Sequence, residues 1–380
     1  MLLAACFGAC TGDPGNEGTD ILVPFDQLGN GIIFATSRIP GSAGYDLYRI
    51  PFPDLRITSA QLPVLLTGAS GDEWQPAVAR NGGGIVFVKD FEIHAITSSG
   101  RIRKISETSG TDFKDSLPAI SADALYVAWV REDFSRKIGD SGFVETYIML
   151  ANFDGTNQRA LQPQDGVIQD APVFDPAIDA TRVAWSEFAI SSLSSTDGPL
   201  DYGVRIFDFT SNMGSFACKS ENGLTPGTSA LQPRGGAGSY RCFGQHLAWP
   251  RDDVLVLPQN FLEMYLRQGQ IGSIWNEAVT AVQRQVNLNP EIGARQDGFH
   301  AAFPLSVSYT PDAATMVFDG VIGPTPEGDL RTLAFFIGDS SGSSPRRVEV
   351  LGLKNDLDTV NTANFLFSLA TPQLVPFRTP

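Results

Sequence analysis

Residues 73–106 read EWQPAVARNGGGIVFVKDFEIHAITSSGRIRKIS. A proline-bearing segment leads into a Gly-rich turn, an apolar run, a polar turn and two further short runs. Within the first apolar run Ile85 and Phe87 alternate with Val86 and Val88. Period-2 alternation is the signature of a strand, and apolar residues at both parities mean that both of its faces are covered.

The same unit recurs in DSLPAISADALYVAWVRED with ETYIMLANFDGTNQRALQP, and in DAPVFDPAIDATRVAWSEF with YGVRIFDFTSN. Further copies are QHLAWPRDDVLVLPQ, LSVSYTPDAATMVFDGV with LRTLAFFIGDSSGSSPRRVEVLGL, and the N-terminal GNGIIFATSR with YDLYRIPF. Aligned on one strand position, the copies place Phe34, Phe87, Trp129, Trp185, Leu257 and Phe318 in register, with gaps of 53, 42, 56, 72 and 61 residues. Strand content per unit stays constant while the connections grow. Repeated four-stranded units that bury both faces imply an all-β fold, a six-bladed β-propeller, with seven blades as the alternative. The tail NTANFLFSLATPQLVPF either closes the ring on the first unit or opens a seventh.

Residues 1–19 read as a signal remnant and flexible tether, and 20–380 as a single propeller domain with insertions at 191–200, 213–245 and 260–286. Within the last, Ile274, Ala278, Val282 and Val286 fall at helical spacing, which suggests a short amphipathic helix or, nearly as well, an irregular strand pair.

The 380 residues hold 27 Lys and Arg against 42 Asp and Glu, a formal charge of −15. That balance opposes binding to nucleic acid, whose phosphates need Lys and Arg, and to anionic lipid. With 38 Gly, 25 Pro and 25 Phe, the composition favours turns and strands.

The units resemble the TolB-like propeller repeat, in which a Ser-Pro-Asp-Gly-type turn precedes an apolar strand and an Asp-Gly-Thr-type turn follows a second one. Tyr309-Thr310-Pro311-Asp312-Ala313 is similar to the first turn, and Asp154-Gly155-Thr156, followed by Arg159 and Leu161, to the second. VARNGGG, ISADALY and WPRDDV stand where other copies of the first turn would be. The resemblance spans roughly residues 20–377. It implies a TolB-like six-bladed propeller that binds envelope proteins.

The first ten residues, MLLAACFGAC, are apolar, and a polar, Gly-rich stretch follows. Leu3-Ala4-Ala5-Cys6 looks like a bacterial lipobox, with Cys10 as a second lipidation candidate. No Lys or Arg precedes Arg38, so the leader is expected to begin upstream. No stretch approaches the ~20 apolar residues of a membrane-spanning helix, which leaves a lipid anchor as the expected membrane contact. Cys218 and Cys242 flank a Gly/Ser-rich segment, and a disulfide between them suits an oxidising envelope.

Chemistry is sparse. Gly338-Asp339-Ser340-Ser341-Gly342 matches a nucleophile-elbow pattern, but a strand follows it where a helix is required. Of three histidines, His246 and His300 precede expected inner strands and are candidates for the tunnel mouth, whereas His94 is isolated. Asp252, Asp253, Asp297 and Asp312 are further mouth candidates, and Asp115 and Asp170 also lie beside inner-strand segments. Converging acids would suit Ca²⁺, although turn capping explains most such residues. No zinc, haem, phosphate or dinucleotide motif is present, so no resident cofactor is expected.

Two readings follow. One is a non-catalytic, lipid-anchored interaction or ligand-binding module facing an envelope protein or cell-wall glycan. The other is an enzyme at the tunnel mouth acting on a polysaccharide as a hydrolase or lyase.

Overall fold

A computed structural model describes residues 21–22, 28, 30–36, 44–51, 62–67, 70–108, 112–139, 143–189, 201–220, 247–251, 254–257, 262–266, 279–285, 300–323, 332–339, 346–348 and 373–374. Among these residues every regular element is a strand.

The strands fall into six sets of four. The first set is β24 (Gln373–Leu374), β1 (Gly31–Thr36), β2 (Asp46–Pro51) and β3 (Val64–Leu65), hydrogen-bonded in that order. β4 (Glu73–Val78), β5 (Gly84–Lys89), β6 (Glu92–Thr97) and β7 (Ile102–Lys104) form the second. The third comprises β8 (Phe113–Ile120), β9 (Tyr126–Lys137), β10 (Val144–Asn152) and β11 (Arg159–Leu161). The fourth is β12 (Val167–Phe174), β13 (Arg182–Ala189), β14 (Asp201–Asp208) and β15 (Met213–Ser220). β16 (Ala248–Arg251), β17 (Val254–Leu257), β18 (Leu262–Leu266) and β19 (Val279–Gln285) make the fifth, and β20 (His300–Tyr309), β21 (Thr315–Gly323), β22 (Thr332–Asp339) and β23 (Arg346–Val348) the sixth.

All pairing within a set is antiparallel. The third and fourth sets are joined by one parallel contact, Thr146 opposite Ile168. Its hydrogen bonds run from the Thr146 hydroxyl to the Gln169 carbonyl at 2.6 Å and from the Gln169 N–H to the Thr146 hydroxyl at 2.8 Å.

The first strands of the sets, β24, β4, β8, β12, β16 and β20, each touch the next, and β20 returns to β24. This closed ring of inner strands is a β-propeller. All six alignment landmarks fall on the second strand of their set: Phe34 on β1, Phe87 on β5, Trp129 on β9, Trp185 on β13, Leu257 on β17 and Phe318 on β21.

Alternation explains why both parities are apolar. Ile33 and Ala35 pack with Ile85 and Phe87 of the second set, while Ile32 and Phe34 pack with Val317 and Ile337 of the sixth. From the second set, Val86 and Val88 meet Val127 and Trp129 of the third. Ala128 and Val130 in turn meet Val183 and Trp185 of the fourth. Each central strand thus serves two interfaces, and Phe34, Phe87, Trp129 and Trp185 are fully buried.

Three expectations change. The helix suggested across 273–286 is not formed at 279–285, which is β19 pairing with β18. The eight residues opening the expected 213–245 insertion are β15, the outer strand of the fourth set, and Leu262–Leu266 in the third expected insertion is β18. Residues 191–200 and 221–245 lie outside the described residues.

The turn segments that differ in sequence share one geometry. In Ser121-Ala122-Asp123-Ala124 the Ala124 N–H donates to the Ser121 carbonyl at 3.0 Å, and Asp123 Oδ1 accepts the Leu125 N–H at 3.0 Å. Thr310-Pro311-Asp312-Ala313 repeats both bonds, at 2.8 and 3.0 Å. Ala79-Arg80-Asn81-Gly82 does so too, at 2.9 and 2.6 Å. The fourth residue is left-handed each time: Gly82 at φ 70°, Ala124 at 61°, Ala313 at 55°. ISADALY and VARNGGG are therefore members of the turn, not departures from it. Asp154 accepts the Thr156 N–H at 2.9 Å, closing the expected turn between β10 and β11.

Candidate functional site

The inner strands end in a cavity on the ring axis of about 150 Å³, lined from β4, β8, β12, β16 and β20 and the turns that follow them. Its wall includes Pro76, Pro118, Pro172, Pro176, Pro250 and Pro311. Sequence dictates this collar through a repeated X-Pro step. Gln75, Leu117 and Ala171, each just before proline, have φ of 49°, 50° and 53°. The strand register skips at the same steps, between Trp74 and Ala77, Ser116 and Ala119, and Asp170 and Val173. Proline has no N–H for the ladder and bars the residue before it from the right-handed helical region, so the strand bulges.

The N–H groups freed by two of these bulges are captured by side chains. The Leu117 N–H donates to Gln75 Oε1 at 2.8 Å, tying two sets together, and the Ala171 N–H donates to Asp170 Oδ1 at 2.8 Å. Trp249-Pro250 repeats the dipeptide on β16, where the register also skips.

Among the described residues, polar groups at this mouth are few. Arg80 Nη2 donates to the Pro250 carbonyl at 2.8 Å, so a side chain of the second set reaches the fifth. Asp175 is 1% exposed, accepts the Ala177 N–H at 3.0 Å and forms an ion pair with Arg182. The Arg182 guanidinium lies 5.4 Å from the Trp249 ring centroid. Trp249 is 4% exposed, and its buried Nε1 has no hydrogen-bond partner.

The opposite ends of β4 and β8 carry aromatic residues. Trp74 packs edge-on against Phe91 at 5.1 Å and lies 6.2 Å from Tyr45. Lys114 Nζ stands 4.4 Å from the Phe91 ring centroid and 5.2 Å from that of Phe134. Phe91 holds a left-handed φ of 64° in a two-residue turn with Asp90 at 52°, an uncommon conformation for so large a side chain.

Two carboxyls near this end are perturbed. Burial pushes Asp170 up to about 6, against the Ala171 N–H and helped by the charge of Glu132. Glu132 is raised by burial and held back by Lys114.

Of the mouth, disulfide and lipidation candidates, His300, Asp312 and Cys218 fall among the described residues. His246, Asp252, Asp253, Asp297, Cys6, Cys10 and Cys242 lie outside the described residues. Cys218 sits on β15 opposite Val204, and His300 opens β20 opposite Gly323. Asp312 is beside the cavity as a turn former. Its carboxylate accepts from the Thr310 hydroxyl at 2.5 Å, and this bond with the Ala314 N–H lowers its pKa.

Asp115 is tied to Arg131, and His94 is buried on β6. Among the described residues no three His, Cys, Asp or Glu side chains gather as around a metal ion, and no helix is long and apolar enough to cross a membrane. Gln75, Arg80, Asp175 and Trp249 escaped the sequence reading. The signal for two of them was the recurring X-Pro dipeptide, which places X at the mouth.

No family model and no curated protein matches the chain. Among solved structures, a chain of the nidogen/laminin complex matches with TM-score 0.51 and 11% identity, over 91% of this chain and 98% of that one. An oligogalacturonate lyase in complex with manganese gives 0.48 and 10%, over 87% and 76%. A TolB from Agrobacterium tumefaciens gives 0.43 and 10%, over 84% and 88%. At such identities the likeness concerns the fold alone.

Proposed function

We propose that the chain is a six-bladed, TolB-like propeller acting as a non-catalytic binding module in the bacterial envelope, exported and lipid-anchored through Cys6 or Cys10. One observation carries the binding reading: the axial mouth is walled by proline, Trp249 and Tyr309, and its charged groups Arg80 and Asp175 are held in internal contacts. Among the described residues such a mouth offers shape and a few hydrogen bonds. The envelope address rests on the MLLAACFGAC start.

The test is a photo-crosslinker at Ala122, on the cavity wall, in intact cells, followed by mass spectrometry. One recurrent protein partner supports the reading. Glycan fragments without a protein partner shift it to the polysaccharide-directed enzyme. Asp170 favours that second reading, because a carboxyl held near 6 suits general acid–base work. The Asp170→Asn variant would then lose turnover on acidic or neutral glycans and keep its fold.

A further inference from the structure

We propose that the end of the ring opposite the cavity docks an extended basic segment of a partner protein, whose arginine side chains stack on Phe91 and Phe134 beside Asp90 and Asp112. This surface goes beyond the cavity reading and stands on different residues.

Phe91 is the first observation. With Asp90 it makes the two-residue turn between β5 and β6, both residues left-handed, a turn in which Asn-Gly or Asp-Gly is the favoured pair. Glycine takes that position without strain, and a bulky side chain does not. Backbone contacts account for the conformation but not for the ring. The Phe91 carbonyl accepts the Asp115 N–H at 3.0 Å and the Thr108 hydroxyl at 3.2 Å, bonds that glycine would make equally well. The ring itself is 39% exposed, and Phe134, from β9 of the next set, is 38% exposed.

Lys114 shows what these rings accept. Its Nζ lies 4.4 Å from the Phe91 centroid and 5.2 Å from that of Phe134, so one ammonium touches both. The ring faces therefore already hold a cation, by attraction to their quadrupoles. Two rings that share one ammonium are close enough for side chains at i and i+2 of an extended peptide, ~6–7 Å apart, to reach one each.

Charge then chooses the partner. Asp90 is exposed beside Phe91, and one of its oxygens accepts the Asp72 N–H at 3.3 Å. Asp112 is exposed beside Phe134, whose N–H donates to its carbonyl at 2.8 Å; among the described residues its carboxylate has no ion-pair partner. The nearby cations are offset: Lys114 faces Glu132 across the ladder, and Arg131 is closed by Asp115. A guanidinium stacks on an aromatic face and pairs with a carboxylate at once, which an ammonium does less well. The charge of −15 steers such a segment inward and repels a polyanion.

The probe is acetyl-Gly-Arg-Thr-Arg-Gly-amide, titrated calorimetrically against the full chain at low and high salt. Its counterparts are the same peptide with citrulline for arginine, and a trimer of an acidic sugar. The arginine peptide is expected to bind about tenfold more tightly than the citrulline peptide and to weaken with salt. Phe91→Gly should cost about fivefold in affinity while the urea midpoint holds, because glycine relieves the left-handed strain as the edge contact with Trp74 is lost. Asp112→Asn, at an exposed side chain, should weaken the peptide several-fold and flatten its salt dependence. Lys114→Gln should tighten it, since a competing cation leaves the rings.

Equal affinity for the arginine and citrulline peptides, no binding of either at millimolar concentration, or full affinity in both Phe91→Gly and Asp112→Asn overturns the inference. Binding of the acidic sugar that is lost in Lys114→Gln assigns a glycan in place of a basic segment and overturns it as well. Crosslinking through Ala122 reports on the other end of the ring, so the cavity reading stands or falls separately.

Discussion

Arg131 on β9 grips Asp115 on β8 with both arms of its guanidinium, Nε to Oδ1 and Nη2 to Oδ2, each at 2.7 Å. The carboxylate is fully buried and the guanidinium 11% exposed. The pair occupies a register position that the neighbouring sets also use: Glu73 faces Lys89 in the second set and Gln169 faces Glu187 in the fourth. In the fourth the inner acid has become neutral, and Glu187 takes its cation from the third strand, Arg205, at 2.8 and 2.7 Å. The ion pair has moved outward by one strand with its bidentate geometry intact.

A buried pair is costly to break from one side, because the remaining charge keeps its desolvation penalty. Arg131→Met is expected to destabilise the propeller by about 3–5 kcal/mol, and adding Asp115→Leu should recover most of that loss. Urea unfolding of the single and double variants measures both. Equal instability of the two would show that packing, not charge, governs the site.

Ala124 and Ala313 occupy the left-handed position that Gly82 fills in the second set. That conformation costs an L-residue about 1–2 kcal/mol, whereas glycine adopts it freely and loses part of the gain to chain entropy. Ala124→Gly and Ala313→Gly should each stabilise by roughly 0.5–1 kcal/mol, and Gly82→Ala should cost a similar amount. Chemical denaturation midpoints give the sign directly.

Much of the fold was legible because repetition survives drift. Phe34, Phe87, Trp129 and Trp185 differ in size, yet each must fill the same gap between two sheets, so an apolar residue recurs there. The turns hid better. ISADA and ARNGG share two hydrogen bonds with TPDA but only one polar side chain type at the third position, Asp or Asn. The site was less legible still. Gln75 and Trp249 look ordinary until the proline after each bends its strand, and Arg80 meets Pro250 across 170 residues of sequence. Helical spacing misled at 279–285, because Val279–Gln285, as a strand, also needs apolar residues at intervals.

Glu73 and His94 give the second set opposing pH responses. Burial raises Glu73 from 4.5 to about 7, against its bond with Thr67 and the charge of Lys89. Its contribution to stability is full below pH 4.5 and is lost as pH rises through 7. Burial lowers His94 from 6.5 to about 4, helped by Lys89 and opposed by Glu92. The folded protein resists protonating it, so stability is lost as pH falls from 6.5 to 4. Relative to wild type, Glu73→Gln should gain stability on the order of 3 kcal/mol between pH 4.5 and 7. His94→Phe should gain in the other direction, from pH 6.5 down to 4. Midpoints across pH 4–8 that leave both differences flat would refute the assignment.

Closure of the ring is a separable test. β24 pairs with β1 through Leu374 opposite Ile32 and Gln373 opposite Ile33, so the last described strand supplies the inner position of the first set. β1 itself is buried along its whole length, with Ile32 and Phe34 packed on the sixth set. Removing residues 371–380 would expose the ladder edge of β1, an apolar strand with nothing to blunt pairing to another chain. The truncated protein should melt several degrees lower and form concentration-dependent oligomers by light scattering. A supplied peptide spanning 365–380 should restore the monomer if the loss lies in that edge. If the truncated chain stays monomeric with an unchanged melting temperature, the sixth and first sets hold the ring through their side-chain interface alone.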